Sequence, residues 1–392
     1  MLSTAVSALF GFFFWMINTR LFTSEQIGLA TALLSSVSLI SGLSLVGLNT
    51  GIIRYLPKSD RKNEKINTVI TIVLVITIVF ATFYLLGIHY FSPKLEFIKH
   101  NIFYIMIFIL ITIVVSLESI YGNVFVAYKN AKYSLYKSII GNVFKIILPF
   151  ILAGFGIYAV FVSASFATIV AFIISLFVLH RLYNYKFKFT FNKNIFRKMF
   201  TLSFGNYVAS FAANLPMTLL PIMIANSLGA KQAAYYYMDM MICTLLNTIQ
   251  SSIGASLFAE GSNNEINLKN HVIKSIKLIL VILIPSIICV FLFGKYILLF
   301  FGKEYSSEGI NLLYLLSLSV IFTSINGLLG AILNVKGKVN YILLMCLIGP
   351  TILLTFIYFA LPHGLIPLGI AFLVGEALIS VIYLFVVLFK AL

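Results

Sequence analysis

This sequence is short of charge. Only 10% of its 392 residues are Asp, Glu, Lys or Arg, and the acids number 11. A soluble domain carries about 25% charged residues, so a water-facing surface able to wrap this chain is excluded. Cysteine is scarce as well. Cys243, Cys289 and Cys346 all lie in apolar runs and form no C-x-x-C pair, which leaves neither a disulfide framework nor a metal site. There is no G-x-x-x-x-G-K-[ST] and no H-E-x-x-H, so the chain does not hold ATP through a phosphate-binding loop or work as a zinc peptidase. Gly154-x-Gly156 reads as a turn between spans, and the five histidines read as interfacial rather than as ligands. Residues 1–17 lack both a basic leader and an A-x-A cleavage site. They read as a first spanning helix with its start clipped, not as a cleavable signal. We expect no catalytic residues, no cofactor and no bound metal.

What is present is apolar. Hydrophobic residues make up 61% of the chain and the mean hydropathy is +1.06. A membrane helix takes about 20 apolar residues. Twelve would use roughly 250–270 residues and leave about ten per connection. The pattern predicts an all-α membrane protein with spans near 1–19, 28–53, 67–89, 101–126, 136–154, 156–180, 200–226, 234–259, 273–294, 310–333, 340–361 and 365–389. Only three residues part the fifth span from the sixth, so that turn must be tight.

Of the 27 basic residues, twenty fall in the even connections or at Lys390 and six in the odd connections. By the positive-inside bias the even connections and both termini are cytoplasmic. A net charge of +16 in short loops points to anionic lipid headgroups rather than nucleic acid. In the connection 181–199, Tyr183, Tyr185, Phe187, Phe189 and Phe191 alternate with Asn184, Lys186, Lys188 and Thr190. A period of two normally marks a half-buried strand. Between two spans we expect it on the inner interface, aromatics toward lipid and lysines toward phosphate. It separates an N-terminal six-helix bundle, 1–180, from a C-terminal one, 200–392. Weak matches recur at a near-constant offset: 21–26 with 228–233, 128–132 with 334–338, and Pro149 with Pro350. Repeats of even span number share one orientation, with a substrate path between them.

Ionisable groups deep in a bilayer cost at least about 2.5–3.5 kcal/mol each, so they tend to face water or a partner. Lys145 lies about nine residues, roughly 13 Å, into span five. Ser138, Asn142 and Lys145 share a helical face. That stripe suits a substrate phosphate; the alternative is a lysine paired with an acid or snorkelling along its stem. In span eight Asp239, Cys243, Asn247, Gln250 and Gly254 share a face. They read either as a lumen for sugar hydroxyls or as polar glue between helices. Asp239, a turn below the outer surface, can simply be solvated. Thr31, Ser35, Ser38 and Gly42 in span two, with Gly47-x-x-x-Gly51, suit close packing, and Arg54 at its cytoplasmic end could meet a phosphate. Span seven carries Asn206 and Asn214, and Pro216 and Pro221 should kink it. Glu118 in span four and Glu376 in span twelve, with Asp239, are candidates to bind a proton or Na⁺; the alternative for the deep pair is a structural partnership with Lys145 or a protonated, hydrogen-bonded side chain.

Residues 19–57 resemble the start of polysaccharide-biosynthesis flippases, the O-antigen translocase (Wzx-like) branch of the superfamily that also holds the MATE exporters. Arg20, Leu21, Gly28, Gly47, Leu48, Arg54, Tyr55, Leu56 and Pro57 carry the resemblance, and 127–132, AYKNAK, looks like that family's turn after helix four. The resemblance implies a MATE-like fold of two pseudo-symmetric bundles that flips a polyprenyl-pyrophosphate-linked oligosaccharide across the cytoplasmic membrane. It also implies surface polysaccharide such as lipopolysaccharide as the product, functional association with a polymerase, and a monomer. Two other functions are weighed against it. An ion-coupled exporter of small organic cations would need an acidic lumen. A membrane glycosyltransferase would need a catalytic group in a sizeable outer loop, and the longest outer connection has only about fifteen residues.

Overall fold

The computed structural model describes residues 2–57, 59–263 and 267–390; Lys58, counted among the cytoplasmic cations above, lies outside the described residues. The described residues form fifteen α-helices and no strand. They are α1 (Leu2–Leu21), α2 (Ser24–Leu45), α3 (Leu48–Tyr55), α4 (Lys62–Leu86), α5 (Ile88–Phe91), α6 (Ile102–Ala127), α7 (Ala131–Ile151) and α8 (Ile157–Tyr183). After them come α9 (Lys193–Ser227), α10 (Ala230–Asn263), α11 (Leu268–Leu299), α12 (Lys303–Glu308), α13 (Ile310–Val335), α14 (Val339–Ala360) and α15 (Leu365–Lys390). Eleven are long and apolar enough to cross a membrane. The twenty-residue α1, expected as the first span, stands outside that set of eleven.

The described chain packs as two compact units, Met1–Phe211 with Met217–Ala233, and Ala212–Pro216 with Ala234–Leu392. In the first, α6 packs against α2, α3, α4 and α8, while α7 packs on α1 and α8. In the second, α13 packs against α11, α14 and α15. The sequence reading assigned 200–226 to the second half. Most of α9 instead belongs to the first unit, because its Met199, Ser203, Tyr207 and Phe211 lie along α2 and α3.

The span expected over 28–53 is broken. Val46 and Gly47 take φ of 46° and 79°, which ends α2 and starts α3. The break leaves the last carbonyls of α2 without their helical donors. The Tyr207 hydroxyl of α9 donates to the carbonyls of Gly42 and Leu43, each at 3.0 Å. Only glycine suits position 47: besides its positive φ, a Cβ there would stand 3.0 Å from Tyr207 and 3.1 Å from the Ser203 carbonyl. Gly47 and Gly51 thus admit α9 closely, the packing role expected of that spacing. Between spans five and six the turn is as tight as expected, a 3₁₀ stretch at Ala153–Phe155 closed by Gly156 at φ 56°.

The 181–199 connection forms neither a strand nor a uniform interfacial stripe. Helix α8 runs on to Tyr183 and α9 begins at Lys193, leaving a strap with neither helix nor strand over 184–192. The strap lies along the first turns of α4. Asn63 donates to the Asn184 carbonyl at 3.1 Å, Asn67 to the Lys186 carbonyl at 3.0 Å, and the Thr190 amide to Thr71 at 3.2 Å. Tyr185 departs from the expectation of aromatics facing lipid. It enters the protein core and donates its hydroxyl to Asn67 at 2.7 Å, while Phe187, Phe189 and Phe191 remain exposed.

Candidate functional site

Three cations converge on one tyrosine in the first unit. Arg54 and Tyr55 form the last turn of α3, whose start is fixed by Gly47. Lys65, one turn into α4, donates to the Tyr55 carbonyl at 3.0 Å. Lys198 on α9 holds its Nζ 5.7 Å from the Tyr55 ring centroid, and the Arg54 guanidinium carbon lies 5.8 Å from the same point. Arg54 and Lys198 are exposed and Lys65 is half-buried. Asp60 is the acid that acts on Lys65, and Lys198 is the opposing cation. Cations gathered within about a Debye length, ~8 Å at physiological salt, repel one another and favour an anion between them. The tyrosine ring offsets part of that repulsion through its π face. Arg54 was legible in the sequence. Lys65 and Lys198 were read only as loop charge, because nothing local links residues 54, 65 and 198.

The Lys145 stripe faces α1. Ser7 and Ser138 hydroxyls lie 2.6 Å apart, and Asn142 donates to Ser7 at 3.4 Å and to Ser138 at 3.3 Å. Lys145 holds its Nζ 4.4 Å from the Phe14 ring centroid. It has no ion-pair partner among the described residues. A desolvated cation–π contact is worth about 2 kcal/mol, so Phe14 takes the place of the acid considered above. Asn142 is spent on the α1–α7 seam.

Glu118 pairs with Lys137, not with Lys145. Lys137 was counted as a cytoplasmic loop cation. It is instead two turns into α7, its side chain 8% exposed against 11% for Glu118. Lys137 also donates to Ser175 on α8 at 3.3 Å and covers the Phe125 ring at 5.3 Å. The pair ties α6, α7 and α8 together.

In the second unit the α10 stripe turns toward α13. Asn247 accepts from the Thr323 hydroxyl at 2.9 Å. Gln250 lies so close to Gly327 that a Cβ there would meet its amide nitrogen at 1.7 Å. These two contacts are of the kind expected of polar glue between helices, one of the two readings offered for the stripe. Glu376 on α15 accepts from Asn326 on α13 at 2.9 Å. Asp239 is not solvated as expected; it is fully buried. Asn214 is exposed on α9, which stays helical through Pro216 and Pro221. Among the described residues no three His, Cys, Asp or Glu side chains gather as a metal site.

Residues 1–259 match the family model described as polysaccharide biosynthesis protein, and residues 209–359 match the MatE model. No curated protein sequence matches the chain. Solved structures share its fold at low identity. A lipid II flippase, MurJ, in an inward closed conformation superposes with TM-score 0.77 at 15% identity, over 98% of this chain and 86% of that one. An inward-facing multidrug resistance MATE transporter of the MOP superfamily gives 0.75 at 14% identity, over 97% and 93%. A MOP superfamily transporter from Pyrococcus furiosus, described as having a binding pocket of reverse polarity, gives 0.60 at 14%, over 98% and 91%. These are transporters and flippases, not enzymes. With the family model covering most of the chain and eleven apolar helices in the fold of MATE and MurJ, this chain is a multi-pass membrane protein that belongs to the polysaccharide biosynthesis protein family.

Proposed function

We propose that the protein flips a polyprenyl-pyrophosphate-linked oligosaccharide across the cytoplasmic membrane by alternating access, for surface polysaccharide such as O-antigen. The observation that carries this reading is the convergence of Arg54, Lys65 and Lys198 on Tyr55. The pyrophosphate of such a substrate, esterified at both ends, is a compact dianion. It is matched by a guanidinium that binds bidentately and by two ammonium groups that supply point charge. The positive-inside bias puts this cluster at the cytoplasmic mouth, where such a substrate is loaded. Lys145 on Phe14 is a further cation deeper along the same unit. A cargo of small organic cations is disfavoured by the same charges, and Glu118, one acid that could have served it, is held by Lys137. Anionic lipids beside the exposed Phe187, Phe189 and Phe191, a counter-ion, and a polymerase acting on the flipped product complete the reading.

The test is genetic and biochemical. Deleting the gene should abolish a surface glycan and leave its lipid-linked precursor inside. Complementation by Arg54→Gln/Lys198→Gln should fail at normal membrane abundance. Full restoration of the glycan by that double variant would refute the role of the cluster.

A further inference from the structure

We propose that the outward face of α11 holds one anionic phospholipid, with its phosphate on Lys274 and Lys277 and an acyl chain along Val281. Asn270, Ile273, Lys274, Lys277, Leu278 and Val281 line a groove of about 400 Å³ on that face. They recur at i, i+3, i+4, i+7, i+8 and i+11, the spacing of a single helical stripe. The stripe changes character once along its length. Asn270, Lys274 and Lys277 occupy the end nearer the start of α11, and no charged residue follows until Lys295. The positive-inside bias puts that end at the cytoplasmic interface. Beyond it Leu278 and Val281 are 43% and 70% exposed, and Ile288 and Leu292 carry the same exposed face deeper. From Lys277 to Leu292 the helix rises about 22 Å, more than one leaflet's half of the ~30 Å hydrocarbon core. Headgroup and chain are thus matched in order and in depth. The groove faces outward, because α11 packs on α12 and α13 and its buried Ser275, Ile279 and Leu283 lie on the opposite side.

Charge decides among the occupants. Glu260, near the end of α10, takes His271 at 3.0 Å and Lys274 at 3.7 Å. Lys274 is thus held in place and partly neutralised. Lys277 is exposed and has no ion-pair partner among the described residues. A lipid phosphate supplies the missing negative charge. A zwitterionic headgroup would set its own ammonium against the two lysines. A second copy meeting this stripe about a two-fold axis would bring like lysines together at one depth, and such juxtaposition is unfavourable. An anionic lipid meets neither cost, and each lysine near its headgroup is worth about fivefold in binding. The inference holds whatever the cargo is, since α11 lies in the second unit and Arg54, Lys65 and Lys198 lie in the first.

Tryptophan quenching in the full-length chain, reconstituted in vesicles, tests this. The sequence has one tryptophan, Trp15. Val281→Trp adds a second on the groove, read as the difference from wild type. Phosphatidylglycerol with brominated chains should quench it at an about fivefold lower mole fraction than brominated phosphatidylcholine. Lys274→Gln/Lys277→Gln should erase that preference. Lys336→Gln/Lys338→Gln removes as many exposed charges from another connection and should keep it, as should Arg54→Gln/Lys198→Gln. Equal quenching by the two lipids overturns the proposal. So does loss of the preference in Lys336→Gln/Lys338→Gln, which would make the attraction one of general surface charge. Quenching by neither lipid, with a dimer seen by light scattering, would give the face to a second copy and overturns it too. Where Val281→Trp does not fold, Leu278→Trp reads the same groove with the same outcomes.

Discussion

Lys137→Met is the most informative single perturbation. Both partners of the Lys137–Glu118 pair are nearly inaccessible; the pair is made through Glu118 Oε1, and Oε2 has no hydrogen-bond partner. Removing the lysine leaves a buried, uncompensated carboxylate, a change that costs about 3–5 kcal/mol. It also removes the donor to Ser175 and the cation over Phe125. Methionine keeps the aliphatic length, so little of the loss is cavity. The companion change Glu118→Gln strands the lysine and should cost a similar amount. The double variant replaces the pair with near-isosteric neutral groups and should sit close to wild type, since such replacements are often neutral or stabilising. The measurement is reversible thermal or denaturant unfolding in one detergent, as a double-mutant cycle. The coupling energy should be several kcal/mol. A loss in Lys137→Met no larger than the about 1 kcal/mol of an exposed pair would mean that water reaches the pair, and the argument from burial would fail.

Three further outcomes follow from close contacts. Gly28→Ala should destabilise by about 1–3 kcal/mol, because its methyl would fall 1.7 Å from the Ala230 carbonyl; unfolding midpoints check it, and a neutral result would refute the close approach. Tyr207→Phe removes the donor shared by the Gly42 and Leu43 carbonyls, and should cost about 0.5–1.5 kcal/mol, seen as faster amide exchange at the α2–α3 break. Gln250→Ala should be milder than Gly327→Ala, because the first frees space and the second drives a methyl into the Gln250 amide; the reverse order in unfolding midpoints would contradict the packing of α10 on α13.

Much of the chain was legible because membrane helices announce themselves by length and apolarity. Ten expected spans correspond to apolar helices with ends within a few residues, an eleventh is cut short by the break at Val46 and Gly47, and the turn at Gly156 followed from the short gap alone. The errors share a cause. The expected span over 28–53 hid its break because Val46 and Gly47 are compatible with a helix, and only the Tyr207 hydroxyl beyond it satisfies the freed carbonyls. Lys137 was counted as a loop cation, and Lys145 was singled out by its depth along one helix. What separates them is the neighbour: Glu118 from α6 for the first, Phe14 from α1 for the second. Tyr185 followed its alternating partners in sequence but was drawn inward by Asn67. Depth and periodicity are one-dimensional, whereas pairing is not.

The sequence by itself therefore determined the solvent, the number and placement of the long helices, and the family, since apolar runs and short motifs act within a few turns of chain. Tertiary structure alone decided which charges meet. Arg54, Lys65 and Lys198 come from three helices and gather on Tyr55, and Asp239 is closed off by a turn some seventy residues away. Charge and burial act through space, with magnitudes set by the distance and polarity of whatever the fold brings alongside.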